Sequence, residues 1–143
     1  MKDSQAWLMF ALGSACFAGL TAILGKVGVT GISSNLGTLI RTGVILVFSA
    51  LLVGLRGEWR GIAAVGSKSW SFLILSGLAT GASWLCYYRA LQLAPASKVA
   101  PIDKLSVVVA IVLGLVVLGE PVSAKLLAGG LLIVAGTVLI ASI

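Results

Sequence analysis

Apolar residues run along the chain in five blocks, separated by short polar or glycine- and proline-containing connections. The blocks cover about 6–29, 36–55, 69–91, 97–118 and 123–143. A helix rising ~1.5 Å per residue needs about 20 apolar residues to cross ~30 Å of hydrocarbon, and each block is of that order. The pattern predicts an all-α integral membrane protein with five transmembrane helices. Gly28–Asn35 reads as a turn, with Ser34 or Asn35 capping the second helix. Arg56–Lys68 is the longest polar connection, and Trp59 and Trp70 mark an interface. Pro95 separates the third helix from the fourth, Glu120-Pro121 ends the fourth, and Ser123 is placed to cap the fifth. Pro101, one turn into the fourth helix, predicts a bend. The first block lacks a strongly basic leader and exceeds a signal core, so it is expected to be a retained helix.

Composition agrees with that pattern. Of 143 residues, 59% are hydrophobic and 10% charged, against about 25% charged in an ordinary soluble domain. Five spans leave only short connections, so a single transmembrane domain over 1–143 is expected, with no second, soluble one. The chain has no histidine, which excludes imidazole triads, metal sites and proton relays. Its four carboxylates, Asp3, Glu58, Asp103 and Glu120, are widely separated, and only Asp103 lies within an apolar block. Cys16 and Cys86 read as small buried hydrophobes. Gly25-Lys26 lacks the spacing and the following Ser/Thr of a phosphate loop. No enzyme activity, cofactor or metal is therefore expected. The net charge of +6 is scattered over helix ends and points to topology, with no nucleic-acid partner.

Five crossings put the termini on opposite sides. The N-terminal side collects Lys2, Arg56, Arg60, Lys68 and Lys125; the other collects Lys26, Arg89 and Lys98, with Arg41 and Lys104 embedded nearby. Orientation normally follows a Lys/Arg excess in cytoplasmic loops. Here that excess is small or nil, which fits a weak preference for an inside N-terminus or insertion both ways.

Close packing of small residues holds helices together in lipid. Stripes of this kind run through Ser14, Ala18, Thr21 and Gly25 in helix one and Gly77, Gly81, Trp84 and Tyr88 in helix three. Helix five offers Gly129 and Gly136. Trp84, Tyr87 and Tyr88 read either as a cavity lining or as an interfacial belt. Embedded charge is the strongest functional signal, since it costs ~2.5–3.5 kcal/mol at the bilayer centre. Arg41 can snorkel or serve a site. Asp103 and Lys104 lie about 100° apart on a helix and should not pair well with each other. Asp103 is expected to find a charge partner on another helix, Arg41 among the candidates, as a structural bridge or within a site.

The stretch Trp84-Leu-Cys-Tyr-Tyr-Arg-Ala-Leu-Gln-Leu-Ala-Pro-Ala-Ser97, continuing through Lys98-Val-Ala-Pro-Ile-Asp-Lys-Leu-Ser106 to Leu118-Gly-Glu-Pro-Val-Ser123, resembles the EamA domain of the drug/metabolite transporter superfamily. Arg41 in helix two and the Gly-rich last helix also resemble it. The resemblance implies one five-helix EamA-like repeat, where most members carry two as an inverted pair around a central cavity. It implies substrate-binding candidates Ser14, Phe17, Thr21, Trp84, Tyr87, Tyr88, Asp103, Lys104 and Ser106. The embedded acid of helix one in the four-helix multidrug exporters has no counterpart. The expected function is alternating-access transport, as efflux, of a small amphipathic metabolite or drug-like solute across the cytoplasmic membrane of a prokaryote. The expected assembly is an antiparallel homodimer or a pairing with an inverted relative. The rival reading is a non-transporting membrane helper subunit.

Overall fold

A computed structural model describes residues 6–142. Lys2 and Asp3, and the expected end of the last helix at Ile143, lie outside the described residues. Among those described there are helices and turns but no strand. The elements are α1 (Ala6–Gly28), α2 (Ser34–Leu55), a 3₁₀ segment (Glu58–Ala64), α3 (Ser67–Leu93), α4 (Ala96–Asp103), α5 (Ser106–Val117) and α6 (Ala124–Ala141). Among the described residues five spans are long and apolar enough to cross a membrane, the fourth being α4 and α5 together over Ala96–Val117.

Local chemistry sets the boundaries. Ser33 caps α2, its hydroxyl accepting the Leu36 N–H at 3.2 Å, so the helix opens at Ser34, ahead of the capping position expected at Ser34 or Asn35. Ser123 caps α6 as its sequence position implies, accepting from the Leu126 N–H at 3.1 Å. Gly31, Gly57 and Gly119 turn the chain with φ of 81°, 67° and 67°, a conformation that costs a side-chain-bearing residue most. The segment after α2 is a 3₁₀ helix whose Trp59 folds back over Gly54, where a Cβ would lie 3.3 Å from the indole nitrogen.

The fourth span departs from the single helix expected over 97–118. Pro101 is accommodated inside α4, and the break comes a turn later, at Lys104-Leu105. There the ladder tightens: Lys104 N–H reaches Pro101 O and Leu105 N–H reaches Ile102 O, both at 3.0 Å, and the i−4 pattern returns only at Val109. Short 3₁₀ pieces of this kind interrupt helices at hinges and under local strain.

The helices fall into two compact sets. In the first, spanning 25–92, the core gathers where the end of α1, the start of α2 and the end of α3 meet: Val29, Tyr88 and Leu91 are buried, with Gly25, Gly37 and Thr38. The second joins the described part of α1 up to Leu24 to the chain from Leu93 onward, and buries Ala22, Val99, Gly114 and Thr137. In that set α6 packs through Gly130, where a Cβ would lie 3.6 Å from Ile111, and through Thr137. Gly129 and Gly136, the expected seam, face open space. The helix is therefore turned by one position, about 100°, from the glycine pattern, because hydroxyl-to-backbone bonding at Thr137 anchors it. The Thr137 hydroxyl donates to Pro101 O at 3.4 Å, just before the break.

Outside these cores the large apolar side chains are exposed along most of each span, Phe17 at 73% and Phe48 at 61% among them. That exterior suits hydrocarbon. Pro101 O keeps its Lys104 partner when the threonine is lost, so no buried acceptor is orphaned. Thr137→Val is therefore expected to destabilise the protein by only about 0.6 kcal/mol, and Thr137→Ser by less, measured by reversible unfolding in mixed micelles.

Candidate functional site

The site is built around Arg41, the only charged residue of α2, seven residues and about 10 Å beyond the start of that helix. Trp84 and Tyr88 stand one turn apart on α3 and so share a face. Gly37 and Arg41 stand one turn apart on α2 in the same way. The two pairs engage in order: Gly37 meets Tyr88, and Arg41 meets Trp84.

Tyr88, 4% exposed, is held in a glycine cradle. A Cβ on Gly25 would stand 3.1 Å from one edge of its ring, and one on Gly37 would stand 3.4 Å from the other and 2.9 Å from Val29. Only bare backbone lets α1 and α2 close on the ring from both sides. The Gly25 end of the helix-one stripe is thus a packing seam, while Ser14 and Ala18 at its other end are exposed. The helix-three stripe behaves alike, from exposed Gly77 through half-buried Gly81 and Trp84 to buried Tyr88.

The cradled ring positions the cation. Arg41 donates from Nη1 to the Tyr88 hydroxyl at 3.3 Å. Its guanidinium carbon lies 3.9 Å from the centroid of Trp84 and 5.6 Å from that of Tyr88. A desolvated cation–π contact contributes about 2 kcal/mol and an exposed one about 0.5–1. Two such contacts and a hydrogen bond offset much of the ~2.5–3.5 kcal/mol that an arginine costs deep in a bilayer. Tyr87 lies beside Tyr88 with ring centroids 6.5 Å apart, tilted by 36°.

A polar latch flanks this assembly at the end of the first set of helices. Lys26, in the last turn of α1, donates to Leu91 O near the end of α3. Gln92 donates to Ile32 O at 2.7 Å and to Val29 O at 3.3 Å, and accepts from Arg89 at 3.2 Å. Lys26 satisfies a carbonyl in the last turn of α3, and Gln92 ties the α1–α2 connection to the end of α3. The sequence signal for Lys26 is its place in a final helical turn; Gln92 has none beyond its place three residues before Pro95.

The remaining candidates belong to the second set. Asp103 closes α4, Lys104 occupies the break and Ser106 opens α5. Lys104 Nζ and Asp103 Oδ2 stand 3.9 Å apart, a long contact between sequence neighbours that still makes a weak pair. Both are substantially exposed, and an ion pair so placed contributes about 0–1 kcal/mol. Ser14 and Phe17 are exposed on α1, and Thr21 is half-buried. Among the described residues no three His, Cys, Asp or Glu side chains group as metal ligands, and Cys16 and Cys86, expected to be buried, are exposed thiols.

The profile of the EamA-like transporter family matches residues 5–142, which takes in every span. The chain belongs to the EamA-like transporter family. Within it, a Sinorhizobium sp protein named "Uncharacterized transporter in cobO 3'region" is 49% identical over 138 residues, covering 96% of this chain and 98% of the relative. No solved structure matches the chain. The match agrees with a resemblance that covers nearly the whole chain, with the 84–123 block as its specific part. It makes this EamA protein a membrane transporter in general terms.

The cradle yields a sharp contrast between two glycines of α2. Gly37→Ala in this EamA protein is expected to lose about 1–3 kcal/mol of stability through the forced shift of Val29 and Tyr88. Gly43→Ala, which meets open space, is expected to be neutral or to gain up to about 1 kcal/mol from helix propensity. Thermal unfolding of the two variants in the same detergent makes the comparison.

Proposed function

We propose that this EamA protein exports a small amphipathic metabolite or drug-like solute across the cytoplasmic membrane of a bacterium, by alternating access. The working unit is an antiparallel homodimer or a pair formed with an inverted relative. One observation carries the reading: a family of transporters is represented here by five candidate spans among the described residues, an odd number. Alternating access in inverted-repeat transporters comes from two halves related by an axis in the membrane plane. A five-span unit with termini on opposite sides obtains that relation only from a second unit inserted upside down. The near-equal division of lysine and arginine between the two ends supports insertion both ways. The half-sized Sinorhizobium relative, itself called a transporter, supports a single repeat as the building block.

In this reading solute contacts come from the candidates on α1 and α3 and at the α4–α5 break, with Tyr88 acting chiefly through Arg41. The reading assigns no catalytic step. It is tested by fusing a cytoplasm-active reporter and a periplasm-active reporter, separately, to the C-terminus. Comparable activity of both is expected for a dual-oriented homodimer. One-sided activity with co-purification of an oppositely oriented relative fits the heteromeric form. One-sided activity with no inverted companion, and no solute flux in reconstituted vesicles, would favour the helper reading.

A further inference from the structure

We propose that Arg41 is an oxyanion receptor and that the solute is an organic monoanion, a carboxylate carried on an apolar body. The substrate class rests on the transport reading above; the receptor itself does not. A guanidinium has five N–H donors in a fixed fork. One is used, on the Tyr88 hydroxyl, and within residues 25–92 the other four meet no acceptor. Trp84 covers a face of the cation at 3.9 Å, so what remains for a ligand is the donor-bearing edge. Arg41 is half-buried, with its ring contacts holding it in place. Donors left unpaired inside an apolar span are costly, whereas a carboxylate takes two of them in parallel, charge-assisted bonds.

Charge balance selects a monoanion. Arg41 is the only cation of α2. One guanidinium neutralises one carboxylate; a phosphate dianion would leave excess charge in a medium of low dielectric. The rest of α2 is uncharged, which suits an apolar body beside the head group. A lipid phosphate offers related oxyanion chemistry from the membrane, and the experiment separates the two sources.

Purified protein in phosphatidylcholine nanodiscs is titrated with radiolabelled 3-phenylpropionate and with its neutral amide. The acid is expected to bind at least tenfold more tightly than the amide. Arg41→Gln should erase that preference, and Arg41→Lys, which keeps the charge but loses the fork, should reduce it severalfold. Unchanged amide affinity in either variant reports an intact fold, so a misfolded glutamine variant leaves the lysine variant to decide. Equal binding of acid and amide, no binding of the acid, or a preference that survives Arg41→Gln overturns the proposal. Loss of the preference on adding phosphatidylglycerol assigns the receptor to lipid and overturns the solute class. An acid preference without vesicle flux leaves the receptor standing and removes the transport reading.

Discussion

A guanidinium set inside an apolar span must be housed before the helices around it can settle. In this protein the housing is aromatic. Trp84 lies against the cation, Tyr88 offers its ring and hydroxyl, and the cost of a buried charge is largely offset without a carboxylate. Much else in the first set of helices follows from that arrangement. Tyr88 can take its position only because Gly25 and Gly37 leave room on either side. The resulting approach of α1, α2 and α3 brings Lys26 and Gln92 to the carbonyls they satisfy.

The broad fold was written in the sequence because lipid imposes a length. A chain with so many apolar residues in five blocks has few alternatives to five spans. Caps and stops such as Ser123 and Glu120-Pro121 were legible for local reasons, since a hydroxyl or a proline acts within a turn of its own position. Less local features were harder to read. The break at Lys104-Leu105 depends on a tightened hydrogen-bond ladder downstream of Pro101, and the α6 face depends on Thr137 finding a carbonyl on α4. Two glycines seven apart suggested a different face. In a helix this rich in small residues the stripe is ambiguous until one polar anchor fixes the rotation.

The candidate site was partly legible for a related reason. Arg41, Trp84 and Tyr88 each stood out as residue types that an apolar helix does not tolerate idly. Their mutual contact was not in the pattern: an acid, Asp103, was the natural partner to seek for Arg41. Aromatic faces give a cation a less obvious place, with weaker sequence signature than a carboxylate. Gly37 was invisible because its importance lies in a Cβ it does not have, opposite a ring 51 positions further along the chain. The helical spacing of Gly37 and Arg41 against Trp84 and Tyr88 is the signal that links them.

The central claim is that the aromatic faces stabilise the embedded cation, and a double-mutant cycle measures it most directly. Unfolding free energies in mixed micelles are compared for the starting protein, Arg41→Met, Trp84→Leu and the double variant. The account predicts coupling of about 1 kcal/mol or more, since each single change removes the same cation–ring contact. Additivity within about 0.3–0.5 kcal/mol would mean that the two side chains are neighbours without being partners.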